Sequence, residues 1–169
     1  AVSEGDQVIE PLNRYIRLFA ERGNPVYFTR DWHTLHHISF KGYGGVWPSH
    51  CVQGTKGAEF HPGLYIPEDN KFVISSGGSP DFDSYSAFQG TVLHDLLRER
   101  GVSRVFVGGI ATDYCVKHTV LGALNLGYQA FLLMEGVKGV NLRPDDSEKA
   151  VEEMMKRGAV CVTPEDEIL

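Results

Sequence analysis

The stretch Arg104-Val105-Phe106-Val107-Gly108-Gly109-Ile110-Ala111-Thr112-Asp113-Tyr114-Cys115-Val116 decides the fold class of this chain. Its first part, residues 104–109, is a short run of β-branched and aromatic residues and predicts a buried strand. Residues 113–126 predict a helix, because apolar residues recur on one stripe and Gly127 follows as a stop signal. The paired glycines allow the backbone to turn sharply between the two elements. The stretch is therefore typical of a strand-to-helix turn at the carboxyl end of a sheet strand.

The elements on either side continue this alternation. The patterns predict strands at 128–134 and 159–162 and a helix at 146–157, which makes a β-α-β-α-β order. Upstream they predict a helix at 6–22, strands at 25–30 and 72–75, and a helix at 91–100. We therefore expect an α/β fold, a doubly wound and mainly parallel sheet with helices on both faces. Every later helix has a strand before it, so we also expect a first, central strand upstream of Ala1.

Length and composition set the limits of function. The 169 residues suit one domain, 1–169, and the net charge of −6 lacks the clustered Lys and Arg that nucleic acid requires. No apolar run reaches the length of a membrane span, and the first residues do not resemble a signal peptide. The three cysteines do not suggest a disulfide framework. These features predict a cytoplasmic protein that binds neither nucleic acid nor a membrane.

Cys115 is the candidate nucleophile. It is expected in the first turn of the helix, at the edge of the sheet where open α/β folds bind their ligands. Unpaired N–H groups and the helix dipole there should lower the pKa of the thiol and could hold an oxyanion. A buried structural cysteine is the alternative reading of the same turn.

Asp31 and His33 follow the predicted strand 25–30 in the order Asp-Trp-His. If this segment is extended, both side chains point to one side and can share a metal ion. His50, in the same long irregular stretch, is the candidate third ligand, and His36 or His37 could be a fourth ligand or support the others. Two imidazoles and a carboxylate with open positions suit catalytic zinc, iron or manganese. Solvated histidines in a polar loop are the alternative.

Three motifs carry a resemblance to a known family. They are Thr-Arg-Asp-Trp-His at 29–33, Trp-Pro-Ser-His-Cys-Val-Gln-Gly-Thr at 47–55, and Gly-Ile-Ala-Thr-Asp-Tyr-Cys-Val at 109–116. Together they resemble the nicotinamidase and pyrazinamidase branch of the isochorismatase-like cysteine hydrolases. The resemblance implies a small-molecule substrate, nicotinamide or a similar aromatic carboxamide. It implies hydrolysis to nicotinate and ammonia through a cysteine thioester, as a step of NAD salvage.

The resemblance also implies roles for individual residues. The oxyanion would be held by the backbone N–H groups of Ala111 and Cys115, after a cis peptide bond between Ile110 and Ala111. The metal, with zinc as first choice and iron or manganese as alternatives, would accept the pyridine nitrogen and orient the ring. Trp47, Tyr85 and Ile110 match positions that bind the substrate, although Trp47 and Tyr85 could equally be core aromatics.

The chain departs from the family pattern at two of the three positions of the catalytic triad. The triad aspartate belongs to a D-x-Q-x-D-F motif just upstream of Ala1, so we expect the chain to be truncated at its N-terminus relative to the family. The triad lysine should close the strand 72–75, where Ser76 stands, and Lys71 is at the other end of that strand. One hypothesis is therefore a nicotinamidase, with a homo-oligomer possible. The other is a scaffold of the same family that binds metal and ligand without efficient turnover.

Overall fold

The computed structural model describes residues 2–163. Along this part of the chain the elements are α1 (Ile9–Glu21), β1 (Val26–Asp31), β2 (Lys71–Ser76), α2 (Leu93–Glu99), β3 (Arg104–Ile110), α3 (Lys117–Asn125), β4 (Gln129–Lys138), α4 (Asp146–Lys156) and β5 (Val160–Val162). Short 3-10 segments occupy Gly5–Val8, Lys41–Tyr43 and Lys56–Ala58, and a π-helical turn occupies Thr112–Val116. None of the helices in this range is both long and apolar enough to cross a bilayer.

All strand pairings among the described residues are parallel. β1 pairs with β2 from Val26↔Lys71 to Asp31↔Ser76. β4 lies between β3 and β5 in a separate sheet of three strands. The predicted α/β class with parallel strands is therefore confirmed, and within residues 2–163 the strands are divided between two sheets.

β4 shows why helices cover both faces of its sheet. Successive side chains of a strand point to opposite faces. Ala130 and Leu132 pack into the large core formed with α2, α3 and α4, where Leu132 is fully buried. Phe131 and Leu133 pack instead into a smaller cluster that includes Tyr15 of α1. The apolar run of β4 thus supplies two cores at once.

Two predicted helices differ from the observed ones. The predicted helix 6–22 begins as the 3-10 segment Gly5–Val8 and becomes α-helical only at Ile9. The predicted helix 113–126 is a π-helical turn up to Val116 and an α-helix from Lys117 to Asn125. The N–H of Val116 bonds the carbonyl of Ala111, five residues earlier, at 3.0 Å, and this i→i+5 bond makes the turn wider than an α-helical one. Cys115 therefore lies in this wider turn, before the α-helix begins.

The long stretch between β1 and β2 has no sustained strand or helix, as its irregular sequence predicts. It is held by two isolated parallel bridges, His33↔Val52 and Phe40↔Trp47. The first bridge has two bonds, since the N–H of His33 donates to the carbonyl of Cys51 and the N–H of Gln53 donates to the carbonyl of His33, both at 2.9 Å. This pairing returns the second half of the loop to the end of β1.

Candidate active site

The candidate residues lie at the carboxyl ends of three strands. Asp31 ends β1 and is in register with Ser76, which ends β2. Ile110 ends β3, and Ala111 and Cys115 follow it. The negative charge of Asp31 acts on the Cys115 thiol and raises its pKa, so the two sheets bring their ends to a common site. Ligands of open α/β folds bind at this edge.

Asp31, His33 and His50 come together as a possible metal centre. Each offers one ligand atom, and these atoms lie within 4.8 Å of one another. His33 is buried, with Nε2 3.7 Å from Asp31 Oδ2. The bridge from His33 to Val52 places His50 beside the end of β1, with its ring 4.9 Å from the His33 ring. The three residues chosen from the sequence thus share one site.

The hydrogen bonds of the imidazoles fit a divalent cation. His50 Nδ1 donates to the carbonyl of Pro48 at 2.8 Å, so its Nε2 keeps a free lone pair. His33 Nδ1 is buried and has no hydrogen-bond partner within residues 2–163. A set of two imidazoles and one carboxylate suits zinc, iron or manganese. The donor chemistry and the hydrogen bond from His50 to Pro48 therefore support a divalent metal at this position.

His36 and His37, the two histidines that follow His33 in the loop, have different surroundings. His37 is fully buried, and its ring lies 4.2 Å from the ring of His33. Its Nδ1 bonds Ser39 Oγ at 2.7 Å and its Nε2 donates to the carbonyl of Phe82 at 3.1 Å, so both ring nitrogens are used within the protein. Burial lowers the pKa of His37. His37 therefore supports the His33 ring as a neutral neighbour, and His36 is exposed and turned towards Tyr43.

The thiol of Cys115 has two backbone donors. The N–H groups of Ala111 and Cys115 both bond the sulfur, and these are the two groups predicted to hold an oxyanion. The peptide bond between Ile110 and Ala111 is cis, as the resemblance predicts. The side chain of Ile110 itself is about half exposed at the end of β3.

The predicted lowering of the thiol pKa was wrong. Burial, and after it the Asp31 carboxylate, raise the pKa of Cys115 to about 12, and the two N–H donors only partly oppose them. The error arose because position in a helical turn is a local feature, whereas desolvation and the Asp31 charge come from distant parts of the chain.

Aromatic side chains form one wall of the site. Trp47 Nε1 donates to the hydroxyl of Tyr85 at 2.7 Å. The ring of Tyr114 meets Trp47 edge-on at 4.9 Å between centroids and lies 5.6 Å from Tyr85. The structure therefore brings the two predicted ring-binding residues together. It adds Tyr114, a residue of the motif at 109–116 to which the sequence had assigned no role.

Ser76 occupies the end of β2, close to the candidate metal ligands. Its hydroxyl lies 3.4 Å from Asp31 Oδ1 and 3.3 Å from the carbonyl of Arg30. Lys71 pairs with Val26 at the opposite end of the two strands. Lys71 therefore lies at the end of the sheet away from the site, and Ser76 carries no positive charge.

Comparisons with known proteins agree with this architecture. The family model described as "Isochorismatase domain" matches residues 1–166. The nicotinamidase of Escherichia coli (strain K12) is 41% identical over 187 residues, which cover 98% of this chain and 87% of the relative.

Two solved structures are similar over most of their length. The pyrazinamidase of Pyrococcus horikoshii in complex with zinc has a TM-score of 0.91 and 48% identity, over 96% of this chain and 88% of that one. PnC1 from L. infantum in complex with nicotinate has a TM-score of 0.83 and 32% identity, over 96% and 82% of the two chains. Because the family match spans nearly the whole sequence and the folds superpose throughout, this chain belongs to the isochorismatase family.

Proposed function

We propose that this chain is a nicotinamidase-type amidohydrolase, which converts nicotinamide to nicotinate and ammonia. The observation that carries the proposal is a cysteine with two backbone N–H donors beside an Asp-His-His site and an aromatic wall. The 41% identity to the nicotinamidase of Escherichia coli supports the same reaction. These similarities favour turnover over a scaffold that only binds.

In the proposed reaction the sulfur of Cys115 attacks the carboxamide carbon. A C–S bond forms, the C–N bond breaks, and the thiol proton leaves with the ammonia. Water then hydrolyses the thioester, which releases the carboxylic acid and restores the thiol. The N–H groups of Ala111 and Cys115 would hold the negative oxygen of both tetrahedral intermediates.

We propose that Asp31, His33 and His50 hold a divalent metal. The P. horikoshii pyrazinamidase was crystallised with zinc, which makes zinc the first choice, and the same donors accept iron or manganese. When bound, the metal would supply a Lewis-acidic contact for the pyridine nitrogen. The fixed Nδ1 proton of His50 and the burial of His33 would keep both rings in place.

Trp47 and Tyr85 would position the aromatic ring of the substrate, with Tyr114 beside them and Ile110 at the rim. A wall of aromatic side chains suits a flat heterocycle, and the hydrogen bond between Trp47 and Tyr85 fixes both rings. The complex of PnC1 with nicotinate supports a ligand of this class. Pyrazinamide, a similar aromatic carboxamide, is therefore a second substrate to test.

We further propose that the enzyme works in NAD salvage in the cytoplasm, where a reducing environment keeps its cysteines as thiols. Cys51, Cys115 and Cys161 are all free in the structure. A free thiol at position 115 is required for the proposed attack on the carboxamide.

Ammonia release from nicotinamide tests the proposed function. The purified chain loaded with zinc should release ammonia, and Cys115→Ala should reduce release to the level of the blank. Cys161→Ala is the matched control, because Cys161 lies in β5 and takes no part in the site. Unchanged release by Cys115→Ala would exclude Cys115 as nucleophile. If the unmodified chain binds nicotinamide but releases no ammonia, the proposed hydrolysis of nicotinamide is excluded.

A further inference from the structure

We infer that Asp113 is a positioning residue that fixes the cysteine turn, Thr112–Val116, against the connection between β4 and α4. This inference rests on the proposed function, in which Cys115 is the nucleophile. Asp113 would act through the backbone of the turn and would not contact the substrate.

The Asp113 carboxylate is buried and is held by the backbone of the connection. Asp113 is only 7% exposed and lies two residues before Cys115. Its Oδ1 accepts the N–H of Val140 and its Oδ2 accepts the N–H of Asn141, each at 2.8 Å. Consecutive N–H groups that converge on one carboxylate form an anion-binding nest, and Asn141 has the left-handed φ of 51° that such a geometry uses. The carboxylate is therefore held by two charge-assisted bonds.

The connection is in turn tied to α4, which makes it a firm support. The side-chain oxygen of Asn141 accepts the N–H of Ser147 at 2.9 Å. At Gly139 a Cβ atom would overlap Ser147 Oγ and lie 3.0 Å from Asp113 Oδ1. A side chain at position 139 would therefore displace the Ser147 hydroxyl and crowd the Asp113 carboxylate.

The bracing has a consequence for the nucleophile. The N–H groups that bond the sulfur belong to Ala111 and Cys115, on either side of Asp113. If the turn loosens, these donors move away from the sulfur and the thiolate loses their support. The negative charge of Asp113 by itself would have the opposite effect, since a negative neighbour opposes ionisation of a thiol. Removal of the carboxylate should therefore slow thiol chemistry if Asp113 positions the turn, and speed it if only its charge matters.

The test is the alkylation of Cys115 by iodoacetamide, followed by peptide mass spectrometry at fixed pH, without metal or substrate. For Asp113→Asn we expect the rate to fall about tenfold, because the pKa of the thiol rises when its two N–H donors move away. Wherever turnover is measurable, kcat should fall in parallel while KM stays within about twofold, and zinc binding should not change.

Asp146→Asn is the matched control. Asp146 Oδ2 also accepts a backbone N–H at 2.8 Å, from Arg143 in the same connection. Within residues 2–163 its carboxylate has no hydrogen bond to the cysteine turn and acts on it only as a negative charge near Tyr114. In Asp146→Asn, Cys115 should be alkylated at the same rate as in the unmodified chain. A ten-fold decrease in both variants would show a general effect of the connection and would overturn the assignment to Asp113.

Faster or unchanged alkylation of Cys115 in a folded Asp113→Asn variant would overturn the positioning role of Asp113. If that variant does not fold, Gly139→Ala keeps every charge and crowds the carboxylate from the other side, so it should also slow alkylation. An unchanged rate in Gly139→Ala would then refute the bracing. Because alkylation needs no turnover, absence of ammonia release by the unmodified chain would refute the proposed function and leave this test intact.

Discussion

At the scale of single residues, the reactivity of the site depends on what surrounds one thiol. Burial and the Asp31 carboxylate raise the pKa of Cys115, while the N–H groups of Ala111 and Cys115 lower it by a smaller amount. Ser76 approaches Asp31 with a neutral hydroxyl. A positive charge at position 76 would offset Asp31 and favour the thiolate.

The pH dependence of alkylation follows from these charges. Below its pKa of about 12 the thiol is protonated, so the rate at Cys115 should rise about tenfold per pH unit from pH 7 to 10. In Ser76→Lys the lysine ammonium should lower this pKa. We expect alkylation at pH 7.5 about tenfold faster than in the unmodified chain, with faster ammonia release.

Ser75→Lys is the control for this substitution. Ser75→Lys places the same charge one residue earlier in β2. Ser75 is exposed, and its hydroxyl accepts a hydrogen bond from Arg30 Nε. Successive strand residues point to opposite faces, so the new charge would point away from Asp31. Equal acceleration in both variants, or a plateau of the unmodified chain near pH 8, would contradict this account of the thiol.

At the scale of elements, the site depends on how the loop after β1 folds back. The bridge His33↔Val52 brings two histidines that are far apart in sequence to one point beside Asp31. The Phe40↔Trp47 bridge does the same for the aromatic wall, because it places Trp47 where Tyr85 and Tyr114 meet it. The loop therefore contributes both the candidate metal ligands and Trp47 of the proposed ring pocket.

Metal retention tests this arrangement. We expect His33→Ala and His50→Ala each to lose stoichiometric zinc after dialysis, because either change removes one of three protein ligands. His36→Ala is the control, since this neighbouring histidine is exposed and lies outside the cluster. Zinc content measured by elemental analysis would contradict the site if it stayed at one equivalent in both ligand variants.

At the scale of the whole molecule, stability is concentrated in the core around β4. Leu132 is fully buried among residues from α2, α3 and α4, whereas Val160 in the neighbouring β5 is half exposed. Leu132→Ala should lower the free energy of unfolding by about 2–5 kcal/mol, since it removes apolar contact and leaves a cavity.

Urea denaturation measures this difference. Val160→Ala removes two methyl groups from the same sheet at an exposed site, and its cost should stay within about 0.5 kcal/mol. A Leu132→Ala variant as stable as Val160→Ala would show that β4 is not the centre of the core.

The sequence by itself determined the order of strands and helices, the parallel α/β class and the identity of the metal and nucleophile candidates. These properties follow from local patterns, namely apolar periodicity, glycine turns and the spacing of Asp31, His33 and His50. Family membership could likewise be inferred from motifs that are contiguous in the chain.

The tertiary structure alone decided how these residues behave. Four features depend on segments that are distant in the sequence. They are the raised pKa of Cys115, the hydrogen bonds of the neutral His37, the contact of Tyr114 with Trp47, and the hydrogen bonds that the Asp113 carboxylate accepts. Burial and the distance between charges are properties of the packed chain, and the pattern of neighbouring residues does not encode them. The cysteine could therefore be located from its sequence, whereas its reactivity is set by the fold around it.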